Sequence, residues 1–293
     1  MLNILSLLPT VNQSCTSCLK PPMNLIVHTY RNNCNSVSVP PGFGDFIRGS
    51  ISLHNLLQKY NFNLIVDFSM HPLGKYLHNP GFAYAPYNSH DNVIEFFNER
   101  RDLVEDFIKI YLENPLRNNV LFLTSHKFPM EIISKETKDY MKSVLMPTKF
   151  TKNEFDYSKE LIKLRSEYSV LHIRTGDHNG WNESIESDII NFIENNITAE
   201  WGSNVLVISD NFNVKKILAS KYGFTSTYFT PVHTGSVRYF SNESASDESV
   251  LGTFIEYLLM SESSKIYSYT CYPWKSGFSH SCSLIYDIPF EVI

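Results

Sequence analysis

The chain has 293 residues, 43% hydrophobic and 19% charged, which is enough apolar sequence for one large core or two moderate ones and excludes a disordered chain. Its formal net charge of −5 comes with no Lys/Arg stripe and no RNA-binding motif, so nothing points to nucleic acid as a partner. No apolar run approaches the length of a bilayer span, and the apolar start, residues 1–9, lacks the basic segment of a signal peptide. The chain therefore reads as cytoplasmic, with no transmembrane segment. Five cysteines are an odd number, which argues against a complete disulfide framework; Cys15-Thr16-Ser17-Cys18 is half a zinc site at most. Glycosylation sequons at Asn12, Asn182, Asn196 and Asn242 carry little weight without a secretory signal.

Residues 24–30, apolar and β-branched, predict the first strand. After them comes Pro40-Pro41-Gly42-Phe43-Gly44-Asp45-Phe46-Ile47-Arg48-Gly49, leading into a helical pattern over 50–57. Strand, glycine turn and helix in that order let backbone N–H groups approach an anion, although the same glycines would serve an unliganded turn. Residues 64–68 complete a βαβ unit that ends at Ser69-Met70-His71-Pro72, where His71 reads as a loop or helix-start histidine. Residues 79–92, rich in Pro, Gly and Tyr, predict a loop of the kind that carries acceptor contacts. From 93 to 112, Phe96, Phe97, Leu103, Phe107, Ile110 and Tyr111 recur at helical spacing and predict a core-facing helix. A strand over 120–125 and a helix over 132–144 follow, and the first domain closes near Pro147.

In the second half a helix over 155–168 leads into a strand over 169–173, which breaks into His172-Ile173-Arg174-Thr175-Gly176-Asp177. In an open α/β sheet, ligands bind where strands end. Arg174 is a permanently charged planar fork that suits a phosphate, and it would equally suit a structural Arg–Asp pair. A helix over 183–195 precedes the strand over 204–211, whose polar end carries Ser209 and Asp210. Asp210 could cap the next helix, 214–222, which Gly223 closes. A polar loop to Asp247, a helix over 249–261 and a strand over 266–270 lead to the turn Lys275-Ser276-Gly277-Phe278-Ser279.

The H-x-R-x-G-D run after a hydrophobic strand, the strand–Ser-Asp–helix unit and the Ser-x-Phe-Ser turn, preceded by a G-x-G-D turn, resemble the α-1,2/α-1,6/protein-O-fucosyltransferase superfamily. The resemblance implies an α/β, GT-B-like fold with two Rossmann-like domains facing a central cleft. Residues 1–150 would form the acceptor side and 151–293 the nucleotide-sugar side. The implied activity is inverting, metal-independent transfer of fucose from GDP-fucose to a glycan hydroxyl, with no cofactor beyond the donor. The absence of any D-x-D agrees with a site that needs no metal.

Carried over residue by residue, His172, Arg174, Ser209, Asp210, Asp247, Ser276, Gly277, Phe278 and Ser279 would face the donor. Gly42, Gly44 and Asp45, with Arg48, would line the other side. Arg174 and the serine turn would stabilise the departing diphosphate, where charge develops. Glu183 stands about as far after His172 as a candidate base in the α-1,6 enzymes; Asp177, Asp45 and Asp247 are its rivals. Negative charge in a helix's first turn is favourable without any catalytic duty, so Glu183 also has a bland reading. Thr175 stands where some of these enzymes have a second arginine, which leaves another nucleotide sugar, such as UDP-xylose, open as donor. A glycan- or nucleotide-binding module that kept the fold and lost the chemistry is the alternative from another class. An unrelated hydrolase is disfavoured, since there is no G-x-S-x-G elbow and no Walker loop. Oligomeric state is not set by the sequence.

Overall fold

A computed structural model of the chain describes residues 25–30, 41–81, 93–97, 101–113, 120–124, 132–176, 183–196, 201, 204–230 and 246–293. Two parallel sheets organise them. The first has the order β2-β1-β4-β3, from β1 (Leu25–Thr29), β2 (Asn63–Asp67), β3 (Val93–Phe97) and β4 (Val120–Thr124). The second runs β7-β6-β5-β8-β9, from β5 (Ser169–Arg174), β6 (Val205–Ser209), β7 (Thr225–Ser226), β8 (Lys265–Thr270) and β9 (Phe290–Val292). The helices are α1 (Phe43–Leu57), α2 (Arg101–Glu113), α3 (Lys135–Val144), α4 (Lys149–Leu161), α5 (Glu183–Asn196), α6 (Phe212–Tyr222), α7 (Asp247–Ser261) and α8 (Gly277–Tyr286).

Strands of a parallel sheet are covered on both faces, and every residue of β6 is accordingly buried. The two-residue period of β5 and β6 sorts their side chains. Leu171, Ile173, Val205 and Val207 pack against Ile189 and Ile193 of α5 and Val214 and Leu218 of α6. Val170, Leu206 and Ile208 face the other way, into a core that includes α7 and α8 and continues through α1 to Ile26 and Leu64 of the first sheet. The two sheets thus meet through α1, α7 and α8. Among the described residues no helix is long and apolar enough to cross a membrane. Among the described residues Cys271 is exposed and Cys282 is buried, while Cys15, Cys18 and Cys34 lie outside them.

Three sequence expectations need correction. Val93–Phe97 is a strand in register with β4, so the predicted helix begins only at Arg101. A run of apolar and aromatic residues that can take a sheet edge outweighs helical spacing counted across the junction. The helix predicted over 155–168 is α4, which starts at Lys149, where the Thr148 hydroxyl accepts from Thr151 N at 3.1 Å. It ends well before 168, because Lys163 turns left-handed (φ 51°) and Leu164 N donates back to Lys159 O. Finally, α1 begins at Phe43, so Gly44 and Asp45 sit inside its first turn rather than before it.

Candidate functional site

The site is built where β5, β6 and β8 end. The strand period that buries Val170 also puts His172 and Arg174 on the α8 side of the sheet. The backbone then turns through Gly176 at φ 116°, a conformation that L side chains rarely adopt. A Cβ there would also stand 3.0 Å from Cys271 Sγ. Asp210, just beyond β6, receives the whole turn. Its carboxylate accepts from Arg174 Nη1, from Thr175 N at 2.7 Å, from Thr175 Oγ1 at 2.9 Å and from Gly176 N at 3.2 Å. Donors from three successive residues on one carboxylate fix the loop and aim the guanidinium.

Asp210 is free for this because it does not cap α6. Asn211 is the cap, its Oδ1 accepting from Asn213 N at 2.8 Å and Val214 N at 3.2 Å. The expectation that Asp210 could serve as N-cap is therefore corrected. Ser209 is buried, and its Oγ accepts from Asn211 N at 3.1 Å, so its hydroxyl shapes the turn into α6.

The β8–α8 connection is fastened to the same loop. Cys271 N donates to Arg174 O, and the Cys271 thiol donates to Thr175 O, both at 3.2 Å. Ser276 is the N-cap of α8 and makes no side-chain cap bond. The Phe278 ring lies 5.6 Å from that of His172. Burial pushes the His172 imidazole down to about 4, with Arg174 acting in the same sense and Asp210 opposing, so the ring is neutral at pH 7. Ser279 is buried, its hydroxyl 3.0 Å from that of Ser268 on β8, and so anchors α8 to the sheet.

From the first sheet, α1 arrives end-on. Gly42 is its N-cap, also without a side-chain cap bond. A Cβ on Gly44 would lie 2.3 Å from Phe278 N and 2.7 Å from Gly277 C, so only glycine lets the two helix starts meet backbone to backbone. Asp45 borders the junction and pairs with Arg48 at 3.0 Å. Burial, reinforced by Lys275 and Arg48, pushes His280 down to about 4. Two helix N-termini with no side-chain cap stand at this corner with a clamped arginine, and such N-termini favour an anion.

Not every expected residue joins this corner. Asp247 opens α7, is exposed and pairs with Lys75, while the Tyr76 hydroxyl donates to its main-chain oxygen at 2.8 Å. Asp177 lies outside the described residues. Glu183 is the first residue of α5, but its side chain also lies outside them. His71 sits in the loop after β2, as expected, and is buried there. Its Nδ1 accepts from Leu73 N at 3.0 Å, its ring lies 4.3 Å from that of Tyr30, and burial pushes it down to about 3. Sequence reasoning missed Thr175 as a loop brace and Cys271 as a tie to β8. The Thr175 contact spans 35 residues and the Cys271 contact 96, so no local signal marked either.

No family model matches the chain, and no curated protein matches it. Solved structures do. A crystal structure of NodZ α-1,6-fucosyltransferase co-crystallized with GDP is 13% identical at a TM-score of 0.50, covering 89% of this chain and 92% of that one. A crystal structure of the Se-Met fucosyltransferase NodZ from Bradyrhizobium is 13% identical at a TM-score of 0.50, covering 89% and 91%. POFUT1 in complex with GDP is more distant, 10% identical at a TM-score of 0.46 over 94% and 99%. At such identities the likeness speaks of architecture, and the chain has the GT-B-like α/β fold of the NodZ fucosyltransferase.

Proposed function

We propose that the chain is a glycosyltransferase that moves fucose from GDP-fucose to a glycan hydroxyl. The observation that carries this reading is the corner where Arg174, clamped by Asp210, stands with the N-termini of α1 and α8 at the ends of parallel strands. An anion gathers there, and a diphosphate is the anion that a GT-B-like fold offers to such a corner. Residues 151–293 hold the nucleotide, with His172, Arg174, Ser276, Gly277 and Phe278 nearest the diphosphate. Residues 1–150 bring the acceptor, with Gly42, Gly44 and Asp45 at the junction. Asp210 acts through Arg174, and Ser209 and Ser279 act through the backbone they hold.

The transfer is an inverting displacement. The acceptor oxygen bonds to the sugar's anomeric carbon as the bond from that carbon to the phosphate oxygen breaks, and GDP leaves carrying the bonding pair. The hydroxyl proton passes to a carboxylate, for which Glu183, at the start of the helix that follows the Arg174 loop, is our assignment. Charge growing on the diphosphate is met by Arg174 and the helix N–H groups. That supply of positive charge supports a reaction without a metal.

The test is GDP release from GDP-fucose in the presence of mixed glycan acceptors, with UDP-xylose as rival donor. Release from GDP-fucose that disappears in Arg174→Ala and Glu183→Gln supports the reading. Release from UDP-xylose alone would replace the donor. GDP binding without turnover of either donor would favour a binding module that kept the fold.

A further inference from the structure

The loop between β8 and α8 carries a feature that the donor site does not use. Tyr272 and Trp274 stack face to face, ring centroids 5.0 Å apart and planes within 6°. Trp274 is 60% exposed, so an ordered aromatic pair has one indole face open to solvent. Isolated exposed aromatics are ordinary on protein surfaces; a stacked pair at the edge of a candidate site is less so.

Both ends of this loop are tied to the Arg174 corner. At the near end Cys271 bonds to Arg174 O and Thr175 O, and Tyr272 N donates to Thr270 Oγ1 at 3.2 Å. A Cβ on Gly176 would lie 3.5 Å from the Tyr272 hydroxyl, so Tyr272 borders the Arg174 loop. At the far end Ser276 caps α8. The adjacent Lys275 ammonium lies over the Phe290 ring, 5.6 Å from its centroid, and so is turned to β9. The stack therefore offers a flat, uncharged, water-facing surface directly beside the point where an anionic leaving group would sit.

We infer that Tyr272 and Trp274 add, from the nucleotide-binding half, one wall to the acceptor side that residues 1–150 form, the open indole face taking the C–H face of a neutral sugar ring. This rests on the transferase reading above. A pyranose presents apolar C–H groups on a face and hydroxyls around its edge, which matches an amphipathic aromatic better than an ion-pairing site. A guanine ring would also stack, but selecting one base needs donors and acceptors set along its edge, and this loop presents an indole, a phenol and a proline.

The experiment pairs a slide printed with neutral gluco-, galacto-, manno- and N-acetylglucosamine oligosaccharides, probed at saturating GDP, with calorimetric titration of GDP. Wild type, Trp274→Ala and Trp274→Phe are compared, each first checked for an unchanged melting temperature. Wild type should capture at least one glycan, Trp274→Ala should weaken that capture about tenfold or more, and Trp274→Phe should keep most of it. The affinity for GDP should be the same in all three. Capture that survives Trp274→Ala overturns the platform. Capture of no glycan by a wild type that binds GDP also overturns it and leaves the donor reading standing. Weakened GDP binding in Trp274→Ala would assign the stack to the base instead. A wild type that does not bind GDP overturns the donor reading, and the platform falls with it.

Discussion

Two cation–carboxylate pairs in the second half of the chain differ in which partner the protein satisfies. The Lys215 ammonium is wholly buried and donates to Glu256 Oε1 at 2.6 Å, Thr227 Oγ1 at 2.7 Å and Phe229 O at 2.9 Å. All three of its donors are accounted for, and Thr227 in turn donates to Glu256. That pair fastens α6 to α7. In the Arg174–Asp210 pair it is the carboxylate that is saturated, by a side chain, a hydroxyl and two main-chain N–H groups. Its side chains keep 13% and 17% of their exposure and stand at strand ends beside two helix N-termini. The first arrangement completes a core. The second immobilises a cation at an edge that a ligand can reach, which is what phosphate recognition asks of an arginine.

The comparison predicts that the two pairs fail in different assays. Lys215→Met leaves Glu256 buried without its cation and should lower the unfolding free energy by about 3–5 kcal/mol in urea, whereas Lys215→Met with Glu256→Leu should recover most of that. A single substitution costing under about 1 kcal/mol would remove the distinction. Arg174→Ala should do the reverse. Transfer should fall by about a hundredfold or more, by analogy with loss of a single charge-stabilising donor, while stability stays within about 1 kcal/mol. If Arg174→Ala unfolds the chain, the pair is structural after all.

Gly44→Ala tests the corner rather than the pair. Its methyl must push the backbone of α8 away, so a loss of about 1–3 kcal/mol together with weaker GDP binding is expected. Lost stability with GDP affinity intact would dissociate the junction from the site.

A pH slope tests the buried histidines. His54, His172 and His280 are pushed to about 4 and His71 to about 3, all by burial first, from an ordinary 6.5. The unfolded chain binds their protons near pH 6.5 and the folded chain does not. Stability is therefore complete above that pH and declines as pH falls from about 6.5 toward 4. Urea titrations at pH 7.5 and 5.5 read it directly, and equal midpoints would contradict the burial of these rings as neutral groups.

Much of this was legible in the sequence because it is local. The apolar run ending in His172 and Arg174 had to be a buried strand, and a polar end there has one place to go in a parallel sheet. The Gly42–Gly44 segment was recognisable as a helix start. Its reason was not, since Gly44 is small on account of Phe278, far along the chain. Likewise Asp210 is locally a plausible cap, and only its contacts 34 to 36 residues back reveal a clamp. The Lys215–Glu256 pair was invisible for the same reason: a lysine in a polar-looking helix becomes a core residue only when α7 closes over it. Val93–Phe97 misled because the pairing that makes it a strand belongs to β4, not to its own spacing.

The most direct test of the central claim, that the Arg174 corner holds a nucleoside diphosphate, is thermal unfolding of wild type and Arg174→Ala with GDP, UDP and ADP. GDP at about a hundred times its dissociation constant should stabilise wild type by roughly 2.7 kcal/mol, a shift of several degrees, and should do little for Arg174→Ala. No shift with any of the three nucleotides, or an equal GDP shift in both proteins, would contradict the account.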